Sequence, residues 1–413
     1  MDRYNHFTGL WQGSGTDFPA MEKSYPEREK RKKEKQLDAF ISVLKGKMGG
    51  STSCVRGNSP FFFKKIEDFF KNVLDYNDEQ LEVILSADMI GATLDFVDKA
   101  RQFDPLISPD DVFQACRNAW IMNGIQYLLG TKISLTPSIF AYSMLYPYSD
   151  NLIDDPEIST GEKTEFSLRF ESRLNGNRFK SINRTEEKIH ELVEMIEGEW
   201  DRKKFPEVYK SLLDIHQAQT NSIQLLSAKN FSAEDIFRIC AEKGGRSVVA
   251  DGCLLTGKPD AGQEQFLYDY GAWLQLLDDM QDASDDLSKG LITYFSGATE
   301  NKKRFEEIAC RTFHLGFKIM NEVDWLNNSG SQTFKSLMKK STELFVIESV
   351  ATNYPFFDRH FIRKMETYSP FHFSFLRKKS NTLESCQKLF FRNIENFALG
   401  KTDENPATLT VTV

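Results

Sequence analysis

Two groups of closely spaced aspartates are the residues of this chain best suited to chemistry. The first group is Asp150, Asp154 and Asp155, and the second is Asp278, Asp279, Asp282 and Asp286. On a helix, residues three or four apart share a face, so Asp150 and Asp154 project together, as do Asp278 and Asp282. Because like charges at that spacing repel one another, we expect a positive partner among these carboxylates.

The second aspartate group has the composition of a metal site. Residues 271–288 hold five aspartates and no Lys, Arg or Glu, whereas a solvated helix face usually mixes acids with bases four residues apart. Aspartate is also a weaker helix former than glutamate. Mg²⁺ prefers oxygen ligands and typically bridges one or two carboxylates to substrate phosphates. The pattern therefore favours Mg²⁺, with a plain acidic surface as the alternative.

The helix that must position the first group is unusual because it carries no charge between Lys132 and Asp150. A helix without a charged face is normally buried all round. Pro147 is expected to kink this helix just before Asp150, and Pro156 to end it. The carboxylates of the first group should then lie at the opening of an internal cavity.

Apolar residues recur at helical spacing through most of residues 61–398, and alternating strand-like runs are short and isolated. This periodicity predicts an all-α fold without a βαβ rhythm. We expect residues 1–58 to be an N-terminal extension, partly disordered or helical. Residues 59–400 form the predicted helical catalytic domain, and 401–413 a C-terminal tail.

Composition narrows the classes of partner. The formal net charge is −8 and the basic residues are interleaved with acidic ones, so nucleic acid is not expected as a partner. Six cysteines without metal-ligand spacing are typical of reduced thiols in a cytoplasmic protein. No run of 18 apolar residues and no secretory signal occurs, which predicts no transmembrane segment. The 34 phenylalanines indicate either a Phe-rich core or an aromatic-walled cavity.

Short motifs around both aspartate groups resemble those of a known superfamily. The string Gly271-x-x-Leu274-Gln275-x-x-Asp278-Asp279-x-x-Asp282 resembles the second aspartate-rich motif of isoprenoid synthases. Asp150-x-x-x-Asp154-Asp155 resembles a degenerate first motif. More narrowly, Ile215-His216-Gln217-Ala218-Gln219 and Lys243-Gly244-Gly245 are similar to large class I terpene synthases of the tetraprenyl-β-curcumene synthase type. The resemblance covers residues 61–398.

The resemblance implies an isoprenoid-synthase-like helical bundle around a deep apolar cavity. Two or three Mg²⁺ ions would be held by Asp150, Asp154, Asp155, Asp278, Asp279, Asp282 and Asp286. With them would bind the diphosphate of a long linear prenyl substrate, and Asp150, Asp154, Asp278 and Asp282 would be the catalytic carboxylates. The enzyme would be a carbon–oxygen lyase that releases diphosphate and forms a terpene hydrocarbon or alcohol. A homodimer is left open.

The resemblance also suggests Lys243, Arg246 and Lys289 as diphosphate-binding residues. Two glycines inside a helix, Gly244 and Gly245, each cost about 0.8–1 kcal/mol relative to alanine, so they imply a kink or a close backbone approach. The alternative is a helix-packing glycine pair flanked by surface cations.

Other polar residues have simpler interpretations. Arg169 and Arg173 lie four apart on a predicted helix, with Glu165 one turn earlier, which favours surface ion pairs. His216, Gln219 and Gln224 are interpreted as satisfied core groups in preference to cavity-lining ones.

Two alternative functions remain. A chain-elongating trans-prenyl diphosphate synthase must bind a second diphosphate, and such enzymes usually carry an early Gly-Gly-Lys-Arg string and paired arginines after the first acidic motif. Neither occurs in this sequence. A non-catalytic helical scaffold with acidic patches is the second alternative, and it predicts that replacing Asp150 or Asp282 leaves function unchanged.

Overall fold

The computed structural model describes residues 2–45, 59–154, 157–227, 231–322 and 329–398. Within these ranges the chain folds into seventeen α-helices and no strand, which confirms the all-α prediction. The helices are α1 (Arg3–Gln12), α2 (Glu27–Leu44), α3 (Ser59–Asn72), α4 (Asp78–Ile84), α5 (Ala87–Phe103), α6 (Pro109–Leu128), α7 (Pro137–Asp154), α8 (Thr160–Leu174), α9 (Arg184–Glu199), α10 (Pro206–Ser222), α11 (Ala233–Thr256), α12 (Ala261–Gln281), α13 (Ala283–Lys289), α14 (Lys302–Asn321), α15 (Ser329–Thr352), α16 (Arg359–Thr367) and α17 (Phe373–Ala398). None of these helices combines the length and the apolar character needed to cross a membrane.

Side-chain caps fix where three of the helices begin. Ser159, Ser232 and Asp260 each accept a backbone N–H of the first turn, and the third residue of the helix bonds back to the cap. Such capping boxes satisfy N–H groups that the helix leaves unpaired. They set the starts of α8, α11 and α12.

Helices α11 and α12 form the most extensive helix pair of the molecule. Their backbones approach closely because Gly244 and Gly271 face each other. A Cβ on Gly244 would collide with the Gly271 carbonyl oxygen and with Gln275, and a Cβ on Gly245 would meet the ring of Tyr268. Since α11 runs unbroken through both glycines, they serve the close backbone approach.

The described part of the N-terminal 58 residues packs on the rest of the molecule. Helix α1 lies against α11, α12 and α14, and α2 lies against α3 and α17. Phe7 and Trp11 of α1 are buried. Residues 46–58 and the expected tail at 401–413 lie outside the described residues.

The ion pair of Arg173 is buried, although the sequence predicted a surface ion pair for this residue. Arg173 is only 1 % exposed and donates to both carboxylate oxygens of Glu197, at 2.8 and 2.9 Å. Burial alone would raise the pKa of Glu197, but the guanidinium groups of Arg173 and Arg202 lower it to about 2. The surface prediction for Arg173 was therefore wrong, because hydrophobic spacing does not reveal a buried acidic partner on another helix.

Candidate functional site

A cleft of about 660 Å³ opens among α7, α8, α10, α11, α12 and α13. We call it the acidic cleft. Its lining residues are Asp150, Ile153, Lys163, Gln219, Ser222, Ile223, Leu225, Leu226, Cys240, Lys243, Gln275, Asp278, Asp279, Asp282, Asp286, Lys289, Leu291 and Thr293. Five carboxylates and three lysines therefore face one space.

Residues from both aspartate groups line this cleft. Asp150 comes from α7 and belongs to the first group, and all four residues of the second group accompany it. Asp155 and the side chain of Asp154 lie outside the described residues. Two stretches distant in sequence thus meet in space.

Asp150 is held in place by neutral donors. The Gln219 amide Nε2 on α10 donates to its two carboxylate oxygens at 3.1 and 3.2 Å, and the Ser149 hydroxyl donates at 3.1 Å. Asp150 is buried. Gln219, interpreted from sequence as a core amide, instead lines the cleft and orients a carboxylate.

The second aspartate group lies where α12 ends and α13 begins. Asp282 is the residue between the two helices, with φ −90° and ψ 5°. The buried Asn353 amide donates to the carbonyl oxygens of Met280 and Gln281, at 3.0 and 2.9 Å. These bonds satisfy carbonyls that a helix terminus leaves free, so Asn353 fixes the end of α12.

Asp279 is the most deeply buried carboxylate of the cleft, with 3 % exposure. The Gln275 amide donates to Oδ1 at 2.8 Å, while Oδ2 is buried and has no hydrogen-bond partner among the described residues. Burial raises the pKa of Asp279 to about 7, although the Gln275 amide and the nearby Cys240 thiol oppose the rise. An unpartnered buried carboxylate oxygen is costly, and a bound cation would satisfy it.

Asp282 and Asp286 also hold their protons more tightly than free carboxyl groups. Desolvation raises the pKa of both to about 6, and the negative charge of Asp278 adds to the rise. The Thr293 hydroxyl donates to Asp286 at 3.2 Å. A bound cation would compete with these protons, because a carboxylate binds a metal in its ionised form.

Three lysines of the cleft come from separate helices. Lys163 lies on α8, Lys243 on α11 and Lys289 on α13. At the edge of the cleft, the Arg117 Nη2 lies 3.8 Å from the Asp278 Oδ1. The positive charge expected from the aspartate spacing is therefore present, and it is supplied by four different helices.

Arg246 does not line the cleft with Lys243 and Lys289. Its guanidinium pairs with Glu242 of the same helix, and its Nη1 donates to the Asp214 carbonyl oxygen at 3.3 Å. Three residues after Lys243, the side chain thus points toward α10. The diphosphate role suggested for Arg246 has no support in this geometry.

Helix α1 packs against the wall behind the cleft. The Trp11 ring lies 5.0 Å from Phe237 and 5.7 Å from Tyr294, centroid to centroid. Tyr294 directly follows Thr293, which bonds to Asp286. Helix α1 therefore buttresses the segment after α13.

The cleft residues have the ligand chemistry that a hard divalent cation such as Mg²⁺ prefers, whereas the described residues that bring three ligand atoms within 4.8 Å of one another are His6, Asp269 and Glu322, outside the cleft. The donors are carboxylate oxygens, which Mg²⁺ prefers, and one of them has no hydrogen-bond partner in the described part of the chain. When ionised, the five carboxylates of the cleft carry more negative charge than its three lysines carry positive charge. The excess negative charge and the unpartnered Asp279 oxygen both favour a bound cation.

Sequence reasoning did not select Lys163, Arg117 or Asn353 for this site. Lys163 lies in the first turn of α8 and Arg117 in the middle of α6, and neither belongs to an acidic string. Their proximity to the aspartates arises only from packing of helices distant in sequence. His216 stays in the core, with Nε2 bonded to Ser167 at 3.1 Å.

Comparisons with protein-family models, with curated proteins and with solved structures found no match for this chain. The functional interpretation therefore depends on the residues and on their geometry.

Proposed function

We propose that the protein is a magnesium-dependent class I terpene synthase. It would convert a long linear prenyl diphosphate to a terpene hydrocarbon or alcohol and release diphosphate. The observation that carries this proposal is that Asp150 and four aspartates of the second group line one cleft together with three lysines.

The carboxylates of the cleft would hold the metal. Asp150, Asp278, Asp279, Asp282 and Asp286 supply the oxygen ligands, and Asp154 and Asp155 are proposed beside them from sequence alone. Bound Mg²⁺ supplies charge neutralisation for a departing diphosphate oxygen. The chain's own lysines, Lys163, Lys243 and Lys289, would bind phosphate oxygens as point charges.

A second space, an apolar cavity of about 680 Å³, would hold the hydrocarbon part of the substrate. Arg117 borders this cavity and lies 3.8 Å from Asp278 of the cleft. Its lining is almost entirely apolar and includes aromatic rings. Such walls exclude water from an allylic cation, and an aromatic face stabilises a cation by about 0.5–2 kcal/mol.

Product analysis tests this proposal against chain elongation. The full-length protein is incubated with Mg²⁺ and linear prenyl diphosphates, with and without isopentenyl diphosphate. The proposal predicts diphosphate release and a terpene product from the allylic substrate alone. A longer prenyl diphosphate, formed only when isopentenyl diphosphate is present, would establish the elongating transferase instead.

The scaffold alternative makes an opposite prediction for the same assay. It predicts no diphosphate release from any chain length, and no change of metal-linked thermal stability in Asp150→Asn or Asp282→Asn. A functional metal site predicts a loss of Mg²⁺-dependent stabilisation in both variants, because each loses a negative ligand.

A further inference from the structure

Three helices bring a histidine and two carboxyl groups together outside the acidic cleft. His6 lies on α1, Asp269 on α12, and Glu322 directly follows the last residue of α14. One ring nitrogen of His6 and one carboxyl oxygen of each acid all lie within 4.8 Å of one another. We call these three residues the histidine cluster. Because His6 and Asp269 are 263 positions apart in the chain, the cluster exists only in the folded molecule.

The central carboxyl group of the cluster is fixed by hydrogen bonds. Asp269 is fully buried, and its Oδ2 lies 2.8 Å from the His6 Nδ1. The Gln265 amide donates to the other oxygen, Oδ1, at 3.0 Å, and also to the Arg3 carbonyl oxygen at 3.4 Å. Side chains that bind metals are usually oriented by such outer hydrogen bonds. Asp269 therefore has the support that a metal ligand requires.

The cluster holds two acids but one base. The Glu322 Oε1 lies 4.0 Å from the His6 Nε2, while Arg3 of the same helix pairs with Glu264 instead. Burial raises the pKa of Asp269 to about 7 and raises the pKa of Glu322 as well, although His6 opposes both changes. A divalent cation would neutralise the two carboxylates more fully than one imidazole does.

The ligand set of the cluster suits Zn²⁺ better than Mg²⁺. Zn²⁺ accepts histidine nitrogen and carboxylate oxygen, often with three protein ligands and a water, whereas Mg²⁺ prefers oxygen ligands. Ligand atoms about 2.1 Å from a tetrahedral Zn²⁺ lie about 3.4 Å apart, and those of the cluster approach this spacing. The side chains of His6 and Glu322 are 30 % and 34 % exposed. An ion can therefore enter, and Glu322 at the helix end can rotate toward it.

We propose that His6, Asp269 and Glu322 bind one Zn²⁺ ion, which joins α1 to α12 and α14. Water would occupy the remaining position. The ion would replace the proton between His6 and Asp269, and this proton would leave to solvent. The site goes beyond the proposed function, because none of its residues lines the acidic cleft.

The ion would also stabilise the wall behind the cleft. Helix α1 carries Trp11, which follows His6 by five residues, and its ring lies 5.7 Å from that of Tyr294. Whatever holds α1 in place therefore supports the segment after α13. The expected role of Zn²⁺ is structural, so the ion would raise the unfolding midpoint without taking part in diphosphate release.

Glu322→Gln tests the site without breaking the bond between His6 and Asp269. The full-length protein is titrated calorimetrically with Zn²⁺ in an excess of Mg²⁺. We expect one Zn²⁺ per chain, and an affinity about a hundredfold or more lower in Glu322→Gln, since groups that only orient a ligand are already worth about 10–100-fold. His6→Gln should act in the same direction. If circular dichroism shows that His6→Gln does not fold, Glu322→Gln decides alone.

His372→Gln is the matched control. His372 also contacts two carboxyl groups, those of Glu34 and Glu27, at 2.6 and 2.8 Å. Among the described residues, however, the three ligand atoms that meet within 4.8 Å are those of the histidine cluster. We therefore expect unchanged Zn²⁺ affinity in His372→Gln. An equal loss in His372→Gln and Glu322→Gln would overturn the assignment.

Asp282→Asn separates this inference from the proposed function. Asp282 lines the acidic cleft, so its replacement should leave Zn²⁺ affinity unchanged even if the protein releases no diphosphate. Hydrogen exchange gives a local measurement, because bound Zn²⁺ should slow the exchange of the α1 amides in the unaltered protein and not in Glu322→Gln. Equal Zn²⁺ affinity in Glu322→Gln and the unaltered protein, or a loss of affinity in Asp282→Asn alone, would overturn the proposal.

Discussion

The side-chain amide of Gln219 donates to both carboxylate oxygens of Asp150, at 3.1 and 3.2 Å. This relationship joins α10 to α7 at the wall of the acidic cleft. An amide orients a carboxylate without neutralising its charge, so Asp150 keeps its capacity to bind a cation. Gln219 therefore positions a metal ligand in the proposed site.

Replacing Gln219 by leucine should weaken metal binding. Groups that orient metal ligands are typically worth about 10–100-fold in metal affinity, and we expect a loss in that range for Gln219→Leu. The measurement is a Mg²⁺ titration followed by the thermal unfolding midpoint. Gln217→Leu is the control, because Gln217 is exposed on the same helix and bonds to Asn221. Equal affinities in the two variants would contradict the positioning role.

Stability without metal should fall as the pH rises toward neutrality. Burial raises the pKa of Asp279 to about 7, and desolvation raises the pKa values of Asp282 and Asp286 to about 6. The unfolded chain releases these protons near pH 4. Between about pH 4 and 7 the folded state therefore binds more protons, so the free energy of unfolding decreases with pH across this window and then levels off.

Mg²⁺ should reverse this trend, because it binds the ionised carboxylates. We expect the Mg²⁺-induced rise of the unfolding midpoint to be larger at about pH 8 than at about pH 6. Glu343→Gln is the control: burial raises the pKa of Glu343 as well, but this residue lies on α15, outside the cleft. A Mg²⁺ response independent of pH, or one abolished by Glu343→Gln, would contradict the assignment.

A methyl group at Gly244 should destabilise the central helix pair. Its Cβ would collide with the Gly271 backbone on α12, and overpacking of this kind costs about 1–3 kcal/mol. Gly91→Ala is the matched control, because a Cβ there meets nothing within 4 Å. That change should stabilise α5 by about 0.5–1 kcal/mol. Urea unfolding of both variants measures the difference, and equal stabilities would refute the close approach.

Lys163 should contribute to diphosphate binding but not to metal binding. Hydrogen bonds to charged groups contribute about 1.5–3 kcal/mol, so Lys163→Gln should weaken the binding of inorganic diphosphate in the presence of Mg²⁺ by about tenfold or more. Lys258→Gln provides the control, since Lys258 is exposed and pairs with Glu207. Calorimetric titration with diphosphate distinguishes them. An unchanged diphosphate affinity in Lys163→Gln would remove this lysine from the site.

The helical class and the aspartate groups could be predicted from the sequence because both are local patterns. Apolar residues at helical spacing indicate helices wherever they occur. The run around Asp278 lacks the basic residues of a solvated face, which predicted a metal site there. The glycine pair Gly244 and Gly245 predicted either a kink or a close backbone approach, and the structure shows the close approach.

Contacts between distant helices could not be predicted in this way. Nothing near Lys163 in the sequence indicates that α8 brings it into the cleft that Asp150 lines. Arg173 was misassigned because its partner Glu197 belongs to α9. Arg246 shows the same limitation on a shorter scale. Arg246 follows Lys243 by three residues, yet its guanidinium pairs with Glu242 and donates to the Asp214 carbonyl oxygen on α10 instead of lining the cleft.

Diphosphate release from linear prenyl diphosphates in the presence of Mg²⁺ tests the central claim most directly. We predict release by the full-length protein, a fall of about a hundredfold or more in Asp282→Asn, equivalent to about 2.7 kcal/mol, and no change in Asp95→Asn, an exposed acid on α5. Equal release by Asp282→Asn and the unaltered protein, or no release by the unaltered protein from any chain length, would contradict the account.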